Sequence, residues 1–164
     1  MRIRLTEGIY EVDWLSLELV RNNAETLRAR GLFERALLAA FIETNHVDWS
    51  FLDLKNLFKA ANPERLRAAD DPLPGPKPFA LYRGMAGKGR RRRIRGLSWT
   101  SAIDQARWFA QERARRESQL IMSPDPGVYR VVVIEPRVLT YLKRKEEQEF
   151  IVLLQAEDRV KRVE

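Results

Sequence analysis

The apolar positions along the chain follow two different periods. Through residue 70 they recur at helical spacing. In LFERALLAAFIETN, residues 32–45, Phe33, Ala36, Leu37, Ala40 and Phe41 form one stripe, and SFLDLKNLFKAAN, residues 50–62, repeats it with Leu54, Leu57 and Phe58. Ahead of these, DWLSLELVRNNAETLRARG predicts a helix over 13–31, with Gly31 suited to its C-terminus. Asn62-Pro63 predicts the start of a short helix through ERLRAA. DDPLPGPKPF then sets Pro72, Pro74, Pro76 and Pro78 close together, so this stretch is extended.

Beyond the prolines the period shortens. PFALYRG, RGLSWT, QLIM, GVYRVVVIE and EFIVLL read as strands, PDPG as a turn, and DRVKRV as a last edge strand. Between them SAIDQARWFAQERARRE reads as a helix, with Ser101 as its N-cap and Ile103, Ala106, Phe109 and Ala110 facing inward. Helices first and strands second predict an α+β fold with a mostly antiparallel sheet. We expect a single domain, 1–164: a helical part over 1–70, a Pro-rich connector over 71–78 and a β-rich core over 79–164. A helical half of about 70 residues alone would have a small core.

Composition narrows the function. The 45% hydrophobic and 32% charged residues suit a globular chain rather than a disordered one. The longest apolar runs, VVVI and FIVLL, are strand-sized, and MRIRLTEGIY has no apolar signal-peptide core, so neither a membrane span nor a signal peptide is expected. Without Cys there is no thiol nucleophile or disulfide, and with one His no His-rich zinc site, so no metal is expected. These features fit a cytoplasmic protein.

The net charge of +7 is local. Residues 83–95, RGMAGKGRRRRIR, hold Arg83, Lys88, Arg90, Arg91, Arg92, Arg93 and Arg95 and no acid, which accounts for all of it. Such a stretch invites an anionic visitor or is a solvated loop. It has glycines but no Walker lysine-serine pair and no following helix start, which excludes a P-loop.

The chemistry-bearing residues stand at strand ends. Arg83 follows Phe79 and Leu81 in alternation, Ser98 lies within RGLSWT, and Glu147 and Glu149 open the FIVLL strand on one face with Ile151 and Leu153. Each alone has a bland reading: an edge cation, a bonded hydroxyl, solvated acids after a charged turn. In order, Tyr82-Arg83-Gly84, Gly96-Leu97-Ser98-Trp99-Thr100-Ser101 and Glu147-Gln148-Glu149 resemble the arginine–serine–glutamate class of mono-ADP-ribosyltransferases, over residues 79 to 164. Trp99 departs from the small residue usual in the middle motif.

The resemblance implies a β core of ADP-ribosyltransferase type and NAD as co-substrate, without a metal. It implies Glu149 as the carboxylate that stabilises the ribose when the nicotinamide bond breaks, and Glu147 as the group that orients or deprotonates the acceptor. It implies Arg83 on the NAD diphosphate, with Gly84, Ser98 and Thr100 also in the NAD site. Alternation assigns Trp99 to the core and Tyr82 to packing. Arg90, Arg91, Arg92 and Arg93 are expected to meet a macromolecular acceptor. A protein side chain, arginine by the Glu-x-Glu pattern, is favoured over nucleic acid. Simple NAD hydrolysis and a non-catalytic RNA- or DNA-binding module are the alternatives. Delivery into a host or target cell, as for a toxin, is a further setting; oligomeric state is left open.

Overall fold

The computed structural model describes residues 4–6, 9–11, 17–43, 51–75, 77–87, 92–118, 124–144 and 147–164. The chain is α+β and divides into two compact units, 1–66 and 67–164. Among the described residues no helix is long and apolar enough to cross a membrane.

The first unit opens with a hairpin, β1 (Arg4–Thr6) and β2 (Ile9–Glu11). Helices α1 (Leu17–Asn22), α2 (Ala24–Ala29), α3 (Phe33–Glu43) and α4 (Phe51–Lys59) follow. The helix expected over 13–31 is thus two helices, broken at Asn23, whose side-chain amide donates to the Leu19 carbonyl at 2.9 Å. An Asn that bonds its own backbone competes with helix continuation. Gly31 ends α2 with φ +68°, as its place in the sequence suggests. Phe33, Leu37, Ala40 and Phe41 are buried, and Phe41 meets Phe58 edge-to-face at 5.2 Å. Asn62 caps α5 (Pro63–Ala68), its side-chain oxygen accepting from the Glu64 and Arg65 amides at 3.0 Å.

The second unit begins within α5, ahead of the Pro-rich stretch rather than after it. Arg67, Asp71 and Lys77 belong with the sheet because they are bonded to it. Arg67 donates to the carbonyls of Val138 and Glu135, Asp71 accepts the Lys143 amide, and Lys77 pairs with Glu135.

Six strands form one open antiparallel sheet in the order β6-β7-β4-β3-β5-β8. They are β3 (Phe79–Met85), β4 (Ser98–Thr100), β5 (Gly127–Val133), β6 (Val138–Arg144), β7 (Glu147–Val152) and β8 (Lys161–Arg162). Helix α6 (Ile103–Glu117) follows β4. Strand β6 was not expected, and QLIM lies outside the described residues. Ser101 is not the N-cap of α6: that position is Ala102, without a side-chain cap. The Thr100 hydroxyl accepts the Ala102 amide instead, at 3.1 Å, and Ser101 donates to Gln148.

Directly paired residues share a face. Trp99, Phe150 and Tyr141 align across β4, β7 and β6 on one face, and pack with Phe79, Leu81, Val131 and Val133 as the core. Tyr82, Thr100, Glu149 and Leu142 align on the other. Helix α6 lies against β3 on that second face, so closely that Gly84 is required: a Cβ there would stand 1.8 Å from the Ala106 carbonyl oxygen. β3 pairs with β5 along its whole length, from Phe79 to Met85, but with β4 only at Tyr82–Thr100 among the described residues. The sheet is therefore loosely joined at β3–β4.

Candidate functional site

A cavity opens at that loose join. Arg83 and Gly84 from β3, Ser98 and Thr100 from β4, and Glu149 from β7 all line it. It encloses about 90 Å³, less than the several hundred that surround whole small ligands, so it has room for only part of one.

Thr100 stands directly opposite Glu149 across the β4–β7 ladder, with Ser98 opposite Ile151. Thr100, rather than Ser98, is thus the nearest cross-strand neighbour of Glu149, and its hydroxyl, already accepting from Ala102, keeps its own proton to donate. Trp99 is buried in the core, as alternation predicts. Glu147 lies on β7, but its side chain is outside the described residues.

Arg83 reaches the cavity by a less direct route. Alternation sends it to the face opposite Tyr82, and its guanidinium turns against the approach to β4. Nη1 donates to the Ser98 carbonyl, and the group lies on Gly96, where a Cβ would come within 2.3 Å of Nη2. Its Nε is sealed from solvent without a hydrogen-bond partner. Burial first and the Arg113 charge next lower the Arg83 pKa, the Glu149 charge opposes them and Arg93 adds a smaller depression, for a net value of about 9. A half-buried, partly desolvated cation with other cations close by is a place where an anion is welcome.

Tyr82, expected as packing, Trp99 and Gln148 also line the cavity, and Gln105, Phe109 and Arg113 of α6 close it. These last three stand at i, i+4 and i+8 of α6, one stripe beside Ala106 and Ala110, which are buried against the sheet. Gln105 and Arg113 were not anticipated. The signal was present, because a four-residue spacing from the inward-facing Phe109 selects both.

The basic stretch is divided. Arg92 ion-pairs with Asp125 at 2.7 Å and lies over the Tyr129 ring at 5.7 Å. Arg95 donates to the carbonyls of Asp158 and Gln155. These two tie the segment to the unit. Arg93 is exposed and near enough to act on Arg83. Arg90 and Arg91 lie outside the described residues. Among those described, no group of three or more His, Cys, Asp or Glu could hold a metal.

Comparison with protein-family models, curated proteins and solved structures gave no match.

Proposed function

We propose that this chain is an NAD-dependent mono-ADP-ribosyltransferase of the arginine–serine–glutamate type, its sheet a core of that family's kind. One observation carries the reading. A half-buried arginine, two hydroxyls and a carboxylate, drawn from strands far apart in sequence, line one cavity. They are the residue types that cleavage of a nicotinamide–ribose bond calls for. Breaking that bond sends its electron pair to nicotinamide and leaves positive charge on the ribose, as in glycoside hydrolysis. Glu149 stabilises that charge. Thr100 and Ser98 orient Glu149 and the ribose hydroxyls. Arg83 holds the diphosphate through paired bonds. The acceptor's lone pair then closes on the ribose, and Glu147, by the family resemblance, takes its proton.

The acceptor is a macromolecule, with protein ahead of nucleic acid. Anchoring of Arg92 and Arg95 to the protein supports that order, since it leaves fewer cations of the basic stretch for a polyanion. The test is incubation with labelled NAD and a cell lysate. Bound label that protease removes and nuclease leaves identifies a protein acceptor; the reverse identifies nucleic acid. Free ADP-ribose alone makes the chain a hydrolase. No NAD consumption, with salt-sensitive binding of RNA or DNA, replaces the enzyme with a binding module.

A further inference from the structure

The seat of Arg83 is built by two residues that the catalytic reading leaves without a role. Gly96 has no conformational need to be glycine: among the described glycines only Gly31 and Gly87 have positive φ. What excludes a side chain at 96 is Arg83. A Cβ there would lie 2.4 Å from Cζ, 2.3 Å from Nη2 and 2.9 Å from Nη1. The guanidinium plane therefore rests on bare backbone.

That backbone is itself held. The Trp99 indole donates from Nε1 to the Gly96 carbonyl at 2.9 Å, and Trp99 is buried in the core with Phe79, Leu81 and Phe150. The bond spans three residues and closes the turn that leads into β4. The next anchor is the Ser98 carbonyl, which accepts from Nη1 of Arg83. With Nε sealed away, the donors left for a ligand are on the terminal nitrogens. A guanidinium so constrained offers its end, not its side, to an oxyanion.

We propose that Gly96 and Trp99 are positioning residues for Arg83, fixing its guanidinium so that its terminal nitrogens present an end-on fork to a phosphate of the ligand. The inference rests on the NAD reading of the cavity and adds to it a reason for the tryptophan in the middle motif. A smaller apolar residue would leave a void in the core and the Gly96 carbonyl untied. Holding a long cation in one rotamer before the ligand arrives removes an ordering cost from binding.

The test is a double-mutant cycle read by calorimetry with two probes, ADP-ribose and nicotinamide riboside, the second lacking a diphosphate. Arg83→Gln and Gly96→Ala should each weaken ADP-ribose binding about tenfold or more, corresponding to about 1.4 kcal/mol. Gly96→Ala, which keeps the Arg83 charge, should leave the affinity for nicotinamide riboside unchanged. Gly96→Ala should cost nothing further once Arg83 is glutamine, because it acts through that side chain. Trp99→Phe, which keeps an aromatic ring and removes the donor, should show the same non-additivity and serves where Gly96→Ala does not fold. Additive losses, or full ADP-ribose affinity in folded Gly96→Ala and Trp99→Phe proteins, overturn this inference while Arg83→Gln still weakens binding. If Arg83→Gln binds ADP-ribose like the wild type, or the wild type binds none, the NAD reading fails and takes this inference with it.

Discussion

Gly84→Ala adds one methyl group where strand β3 and helix α6 meet backbone to backbone. The new Cβ would stand 1.8 Å from the Ala106 oxygen and 2.5 Å from the Ala110 nitrogen, both backbone atoms of α6. No side chain can swing aside, so strand and helix must separate by about 1 Å or more, because ordinary Cβ contacts begin at 3.4 Å. Overpacking of this kind costs roughly 1–3 kcal/mol. For a unit the size of 67–164 each kcal/mol lowers the melting temperature by about 4–8 °C. We therefore expect a fall of at least several degrees by circular dichroism. The displaced helix carries Gln105, Phe109 and Arg113 out of the cavity wall. A shift of about 1 Å in such groups can cost on the order of 100-fold in rate, so NAD cleavage should fall well below wild type at temperatures where the variant is still folded. Gly75→Ala is the control, since nothing lies within 4 Å of its Cβ, and it should leave both readings unchanged. A Gly84→Ala protein with wild-type melting and wild-type NAD turnover would refute the close-contact argument.

Glu149→Gln should keep the fold and lower NAD cleavage on the order of 100-fold or more; near-normal turnover in a folded variant removes Glu149 from the chemistry. Glu147→Gln should spare much of NAD hydrolysis while transfer to the acceptor collapses, and equal loss of both would deny it the acceptor role. Neutralising Arg90, Arg91 and Arg93 should reduce acceptor modification more than NAD cleavage, while Arg92→Ala, which breaks the Asp125 pair, should chiefly lower the melting temperature; the opposite pattern would reverse their roles. Arg162, then Arg92, holds the Asp125 carboxyl down at about 2 from an ordinary 3.8, so its contribution to stability is present above pH 3.8 and is lost as pH falls through 2. Denaturant titrations at pH 5 and pH 2.5 should show a smaller acid-induced loss in Asp125→Asn than in wild type, and identical losses would dismiss the pair.

The helical stripe of α3 and the strands β3, β5 and β7 were legible because each has a periodic apolar face or a continuous β-branched run. β6 was not, since Leu139, Thr140, Tyr141 and Leu142 are all buried in succession and leave no alternation to read. The Asn23 break was hidden inside an otherwise helical pattern. At the cavity, the strand residues stood out as polar groups ending apolar faces. Gln105 and Arg113 did not, because they sit on a helix so rich in charge that its cavity-facing stripe resembles a solvated surface. Arg92 looked like its neighbours in the run of four arginines. What sets it apart is Asp125, distant in sequence and identifiable as a partner only once β5 is in place.

The weak join between β3 and β4 has a mechanical consequence. On one side of it stands Arg83, on the other Glu149, and few backbone bonds cross between them. A molecule that touches both side chains is a cross-tie over a seam. Whatever such a molecule gains by binding, the sheet gains in cohesion, since a ligand that prefers the closed seam stabilises it in the same measure. Affinity and the stiffness of this sheet are thus one quantity seen from two ends. Substitutions that loosen the seam should weaken the grip on the ligand even where the replaced side chain does not touch it.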